Sequence, residues 1–384
     1  MAKYTYYAYD LVTNSALAEL PLSNVKFSRI LNGAGGFSGT LKLGDKKVTN
    51  LNPIPSTVPT RTALYVDRDG VLVWGGIIWN RGPYRPSTQS FTLGGLEFWS
   101  YFQVRTKTSR YIVDTKAYAQ QDQLFIARDL INYAQAKSGG NIGIVVNNET
   151  SGVLRDRTYN SYDFTPVGQA VEQLSAVLNG FDFSIEVAYV NGVPTKTFVP
   201  SYPRRGNSAV TSGLIFEYPG NMIDYSWPED GTEQANTAYA IGLGQGATML
   251  RSSSSIPALL DAGYPLLEYL DSYKNVGVQA ELDGHAMADV RARAYFDADP
   301  THVSGVTLPE IYARADADPV LGSYGTGDDV RLRISDERFP DPAHTIDGSD
   351  RRLDTYMRIT GYEVIPPSTD GQYEEVRLIL GATG

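Results

Sequence analysis

The sequence predicts an α+β protein that is mostly β, and three observations carry that reading. Short runs of alternating apolar and polar residues, cut by Gly and Pro turns, fill residues 1 to about 104 and return beyond about residue 330. Two stretches between them switch to helical spacing. The chain uses 37 Gly, 21 Pro and 26 Tyr, a mixture that suits strands and tight turns and not a helix-only fold.

The first strand is Tyr4 to Leu11 and the next Val25 to Leu31. Asn32-Gly-Ala-Gly-Gly36 is a turn, and Phe37 to Leu43 returns. Asp45 to Thr60, with Pro53, Pro55 and Pro59, reads as a loop. Ala63 to Val66 and Val71 to Trp79 form a hairpin around Asp69-Gly70. In the second strand Val71, Val73, Ile77 and Trp79 point one way, and Leu72, Trp74 and Ile78 the other. Both faces are apolar, so both are expected to be covered. A further strand runs from Phe91 to Trp99. Phe91 and Leu93 are odd-numbered while Leu96 and Phe98 are even-numbered, so Gly94-Gly95 is expected to be a bulge that flips the parity, as a small barrel requires.

Tyr118 to Ala136 has helical spacing and is stopped by Ser138-Gly-Gly140. Ile142 to Val146 is a short strand. In the next helix Thr165 is the candidate N-cap and Pro166 the first helical residue; Val167, Ala170, Val171, Leu174, Val177 and Leu178 form its apolar stripe, and Asn179-Gly180 ends it. Phe181 to Val187 turns at Asn191-Gly192 into Thr197 to Val199. Leu214 to Leu250 is again strand-like. Ser252 to Ser255 is expected to open a helix over Ile256 to Ala262; Pro265 to Leu270 is a further candidate helix, and Gln279 to Phe296 the longest. Val330 to Ile334, Tyr356 to Thr360, Tyr362 to Ile365 and Glu375 to Leu380 are the last strands. A weak repeat sets Gly76, Pro86-Ser-Thr88 and Leu93-Gly94 beside Gly361, Pro367-Ser-Thr369 and Leu380-Gly381, which suggests two similar barrels flanking the helical material.

Hydrophobic residues make up 42 %, enough for a core, and 384 residues allow two to four domains. With no cysteine, disulfides, thiolate nucleophiles and zinc–cysteine sites are excluded. A net charge of -10 argues against a nucleic-acid groove. The N-terminus enters a strand without a signal pattern, and no apolar run approaches the ~20 residues of a membrane span, so a soluble protein made in the cytoplasm is expected.

Candidate chemistry is thin. His285, His302 and His344 have no metal-ligand spacing. Asp297/Asp299, Asp316/Asp318 and Asp328/Asp329 are carboxylate pairs without a calcium-loop pattern, and read as turns and helix ends. Gly242-Leu-Gly-Gln-Gly246 is followed by Ala247-Thr248 rather than Lys-Ser/Thr, so close backbone approach explains it better than a phosphate. No Gly-x-Ser-x-Gly elbow occurs. No catalytic, cofactor-binding or metal residue is assigned. The aromatic strands could be a sugar platform, and are more often core or interface.

Four segments carry a resemblance: Asp69-Gly-Val-Leu-Val-Trp-Gly-Gly-Ile-Ile78, Asp122-Gln-Leu-Phe-Ile-Ala-Arg-Asp-Leu-Ile131, Ala240-Ile-Gly-Leu-Gly244 and Gly327-Asp-Asp-Val330. In that order of parts the chain resembles the tail hub (baseplate hub) proteins of tailed bacteriophages, more narrowly minor tail proteins of long non-contractile tails. The resemblance implies two small antiparallel β-barrels with α+β domains between and inserted. It divides the chain into a first barrel (1–104), an α+β domain (105–204), a discontinuous second barrel (205–250 and 318–384) and a helical insertion (251–317). It implies a homotrimeric, non-enzymatic virion ring that joins the distal tail protein to tail tip or fibre proteins. The tape measure protein is a further expected neighbour, DNA passes only in transit, and this chain inserts into no membrane. Any hydrolase activity would come from another protein. The alternative is a receptor- or carbohydrate-binding tail protein that contacts the host cell wall. On the hub reading, the second apolar face of Val71 to Trp79 is covered by another copy or by the chain's own second barrel.

Overall fold

Strand-forming runs between Gly- and Asn-rich turns build the N-terminal part. They are β1 (Tyr4–Asp10), β2 (Ala16–Glu19), β3 (Leu22–Ile30), β4 (Gly36–Lys42), β5 (Thr62–Arg68), β6 (Val71–Arg81) and β7 (Ser90–Glu97). The middle part holds β8 (Lys116–Asp122), α1 (Gln123–Ala136), β9 (Ile144–Val146), β10 (Leu154–Tyr159), α2 (Val167–Ser175), β11 (Asp182–Val190) and β12 (Val193–Ser201). Then come α3 (Ala209–Ser212), β13 (Ile215–Tyr218), β14 (Met222–Ser226), β15 (Thr237–Ile241), β16 (Arg251–Ser255), α4 (Pro257–Asp261), β17 (Glu268–Ser272) and α5 (Gln279–Arg293). The C-terminal strands are β18 (Glu310–Arg314), β19 (Asp329–Ile334), β20 (Leu353–Ile365) and β21 (Glu375–Gly381). This is a computed structural model, and it describes residues 2–44, 52–104, 108–228, 231–294, 308–346, 348–367 and 372–383.

Thirteen strands form one sheet. Its N-terminal part runs β1-β5-β6-β7-β4-β3, and its C-terminal part runs β13-β19-β20-β21-β18-β14. Taken in chain order, the two sets of six strands match one to one, with the same neighbours. One difference is the end pair: β1 and β5 are antiparallel, β13 and β19 parallel. The β20–β3 pairing, from Gly361↔Ile30 to Val364↔Phe27, joins the sets. The weak repeat falls on corresponding hairpins, β6–β7 and β20–β21, although residues 368–369 of its second Pro-Ser-Thr lie outside the described residues. Among the described strands no ring of pairings closes.

A small sheet, β16-β15-β17, stands apart. Strand β15, expected with the second β unit, belongs to it. So does Ser252 to Ser255, where a helix start was expected, and Pro265 to Leu270 gives β17 rather than a helix. Long-range pairing overrode local preference at both places: β15 supplies the ladder to each. The N-terminal end of the expected first helix is also a strand. Residues 116–122 pair with β10, a strand the pattern did not reveal, and the helix starts at Gln123 behind the Asp122 N-cap, whose Oδ1 accepts from Leu124 N at 2.9 Å. Pro166, not Thr165, occupies the cap position of α2, because the Thr165 carbonyl is engaged by Ile112 N at 2.9 Å.

The two faces of β6 enter two cores. Trp74 and Ile78 join Phe27, Phe37 and Leu93 on one side. Leu72 and Ile77 join Tyr65, Phe98, Phe183 and Val187 on the other. Leu72 and Trp74 were expected on one face; a bulge that leaves Val73 unpaired between Leu72↔Asp67 and Trp74↔Val66 separates them. The expected bulge at Gly94-Gly95 lies instead on the partner strand, at Trp79, between Ile78↔Gly95 and Asn80↔Gly94. The glycines serve packing: a Cβ on Gly94 would lie 2.5 Å from Asn80 Oδ1, and one on Gly95 3.1 Å from Ile77 O. The Trp74 indole N–H donates to Ser28 O at 3.0 Å. The second face of β6 is thus covered by the chain's own middle part, with β11 against it, and not by a second copy or the C-terminal strands.

Candidate functional site

The parts of the chain converge on a polar junction. β3 places Arg29 there, β7 Glu97, β11 Asp182, Ser184 and Glu186, the 202–208 connection Arg204 and Arg205, and β20 Arg358. Arg29 donates to Glu97 at 3.0 Å and grips Glu186 through two nitrogens at 2.9 and 3.0 Å. Glu97 also accepts from Gly35 N at 2.8 Å. Arg205 reaches Glu186 at 2.6 Å and Ser184 at 2.8 Å, and its backbone N–H donates to Asp182 at 2.7 Å. Arg358 binds Asp182 and the Arg205 carbonyl. Burial by itself would raise the Glu186 carboxyl; Arg29 and then Arg205 outweigh it and hold it at about 2. Burial dominates at Glu97, which is held above the usual value in spite of Arg29. Every charge here has a partner, so the cluster sets the relative position of three parts and offers no free acid or base.

The expected candidates fall into place around it. Asp328 accepts from Asn207 N at 2.6 Å and Gly325 N at 2.8 Å, and Asp329 binds Arg204 and Ala209 N, so this pair ties the 204–209 connection to β19. Asp316 pairs with Arg314 in the open, at 2.8 Å. The Asp318 carbonyl accepts from Asn221 at 2.7 Å. Asp297, Asp299 and His302 lie outside the described residues. His285 is buried, stacked on Tyr273 with 3.9 Å between ring centroids; burial, then Arg157 and Arg155, push it down to about 3. A packed imidazole that is neutral near pH 7 suits neither proton transfer there nor a charged contact. His344 is exposed beside Asp341 at 2.7 Å. Gly242 sits where a Cβ would be 2.9 Å from Val276 O, and Gly244 has φ +121°, so the Gly-rich run is a close backbone crossing.

A cleft of ≈ 960 Å³ opens beside Glu217, Asp336, Asp341, Asp350 and Asp354, with Arg333 and Arg352 on its walls. Acids outnumber bases on its walls, and some of them are paired: Asp350 holds Arg352 at 2.6 Å, and Asp354 takes Arg331 at 2.7 Å and Arg333 at 3.5 Å. Among the described residues no group of three His, Cys, Asp or Glu is placed to hold a metal. Trp74 is fully buried and half-buried Trp79 donates to Ser100 Oγ at 2.8 Å, so neither stands free as a sugar platform. Sequence reasoning missed Arg29, Glu97, Glu186 and Arg358. The one signal each carries is a charge inside a strand pattern, and nothing in the sequence links the four.

No protein-family model matches the chain, and no curated protein matches it by sequence. Solved structures do. A tail protein from Neisseria meningitidis MC58 aligns over 99% of this chain and 97% of its own, at 14% identity and a TM-score of 0.57. The prophage MuSo2 43 kDa tail protein from Shewanella oneidensis aligns over 100% and 99%, at 11% identity and 0.57. Prophage tail protein gp18 from Listeria monocytogenes aligns over 98% and 94%, at 10% identity and 0.51. The chain therefore has the fold of these phage tail proteins from end to end. No helix among the described residues is long and apolar enough to cross a membrane.

Proposed function

We propose that this chain is a structural hub of a bacteriophage tail tip: a homotrimeric, non-enzymatic ring that joins the distal tail protein to tip or fibre proteins and lets DNA pass. One observation carries the reading. The fold it shares with solved tail proteins extends over nearly the whole of both chains, so the likeness takes in the assembly of parts and not one common module.

The two matched six-strand units support a ring. On this reading each curls into a small barrel, and three copies present six similar barrels around a channel. The C-terminal unit is discontinuous, built from β13–β14 and β18–β21, with the small sheet and α5 inserted. The polar junction, with Arg29, Asp182, Glu186 and Arg358, holds the two units and the middle part at fixed angles. A net charge of -10 suits a wall along which a polyanion slides. Mass measurement of the purified protein, with electron microscopy of the particles carrying it, tests the proposal. A trimer at the tail tip is expected. A protein absent from the tail, or one that retains wall glycan on a column, overturns the hub in favour of the receptor-binding alternative.

A further inference from the structure

The small sheet is covered by α5 on one face and has two open edges among the described residues, and those edges are unusual. Exposed strand edges are ordinarily blunted by Pro, Lys or a bulge. Strand β16, Arg-Ser-Ser-Ser-Ser, has none of these, pairs with β15 without irregularity, and beyond Arg251 at its start carries only serines.

The hydrogen-bond register shows which backbone groups face outward. Gly242 N donates to Leu250 O at 2.8 Å and Ile256 N to Asn236 O at 2.9 Å, so residues 250, 252, 254 and 256 face β15. Arg251, Ser253 and Ser255 therefore turn their N–H and C=O away from it. On the other edge Thr237 N donates to Leu267 O at 3.1 Å and Tyr273 N to Ile241 O at 2.6 Å, so the odd-numbered residues of β17 face β15. Glu268, Leu270 and Ser272 turn theirs outward. Two of these groups are already satisfied: Arg251 O by Gln279 Nε2 at 3.0 Å, and Ser272 N by Asp271 Oδ1 at 2.7 Å.

We propose that β16 of one copy pairs antiparallel with β17 of the next copy, with Ser253 opposite Leu270. This rests on the ring reading and names one of its contacts. In that register Arg251 lies opposite Ser272 and Ser255 opposite Glu268. The two groups already satisfied then face each other, while Arg251 N–H meets Ser272 C=O and both groups of Ser253 and Ser255 meet those of Leu270 and Glu268. Every open group finds a partner. The contact is head-to-tail, so it leaves no edge exposed when the ring closes, whereas β16 pairing with its own copy would leave β17 open. The antiparallel sense also keeps β15 of neighbouring copies parallel, as rotation about an axis along the strands requires.

The chain has no cysteine, so single cysteines report contacts without background. Opposed residues of a hydrogen-bonded antiparallel pair have Cα atoms about 5.5 Å apart, within disulfide reach. S253C protein mixed with L270C protein is expected to give a linked dimer on mild oxidation, and neither variant alone should do so. S253P removes an outward N–H and leaves the β15 ladder intact. It should weaken assembly by about tenfold or more while the melting temperature of the monomer stays unchanged. A trimer that gives no mixed disulfide and survives S253P overturns this contact and leaves the ring. Linking by S253C alone overturns it in favour of a twofold pairing. A wild-type monomer at every concentration, without mixed disulfide, overturns both.

Discussion

The two six-strand units share one order of pairing, yet their outer faces differ. In the N-terminal unit β5 is buried at all but its last residue, and β6 sends apolar side chains into cores on both sides. In the C-terminal unit the matching β19 and β20 alternate: Val330, Leu332, Ile334 and Met357 go inward, while Arg331, Arg333, Asp354 and Tyr356 stay near solvent. The difference has one physical cause. The middle part packs β11, with Phe183 and Val187, across β6, whereas the element on β19 is the four-residue α3, none of whose residues is buried. Pairing order alone therefore does not set how a sheet meets its surroundings; a second layer does.

The largest test of that contrast is Trp74→Ala. The indole is fully buried in the shared inner core, and its loss should cost about 3–5 kcal/mol. A denaturation curve with an unchanged midpoint would contradict the core assignment. Next is the pair Ile77→Ala and Arg333→Ala, which probes the two outer faces directly. Ile77 is buried against the middle part, so about 2–5 kcal/mol is expected; Arg333 sits in an open ion pair, and less than about 1 kcal/mol is expected. Equal effects in urea unfolding would erase the distinction between the units.

Glu186→Gln tests the junction through pH. The folded carboxyl sits at about 2, below its usual 4.5, so its contribution is fully present above 4.5 and is lost as pH falls toward 2. The wild type should thus lose its advantage over the variant across that window. At neutral pH the variant should lose about 1–2 kcal/mol, less than for a wholly buried pair because the Glu186 side chain is 30% exposed. A wild-type advantage that stays constant from pH 5 to pH 2 would remove Glu186 from the network's balance. The smallest effect belongs to Arg331→Ala. Its pair with Asp354 is open to solvent, so a change of about 0.5 kcal/mol, vanishing in 1 M salt, is expected in thermal melts.

Much of this contrast was legible in the residues themselves. Val-Leu-Val-Trp-Gly-Gly-Ile-Ile-Trp over 71–79 is apolar at every position but the glycines, and that demands two covered faces. Asp-Val-Arg-Leu-Arg-Ile over 329–334 alternates, and that demands one. The Asp69-Gly70 and Asn191-Gly192 turns stand where the dipeptides place them, each with positive φ at both residues. Local pattern misled where a strand depended on a distant partner. Residues 118–122 adjoin a helical stripe that begins at Leu124 and were expected to continue it, yet they pair with β10; Ser252 to Ser255 look like a helix start and pair with β15. The junction was hidden for the same reason, since Arg29, Glu97, Glu186 and Arg358 are far apart in the chain and form no spacing motif.

The sequence by itself determined the α+β, mostly β class, the hairpins closed by their own turns, and the demand of residues 71–79 for burial on both faces. These follow from side-chain period and turn chemistry, which act over a few residues. Only the tertiary structure decided what meets that demand. The bulge at Val73 sends Leu72 and Trp74 to opposite cores, and the chain's own middle part, not a second copy, covers the outer face. The bulge arises inside the β5–β6 hairpin and the layer contact comes from β11, roughly a hundred residues away, and the apolar period of residues 71–79 carries neither.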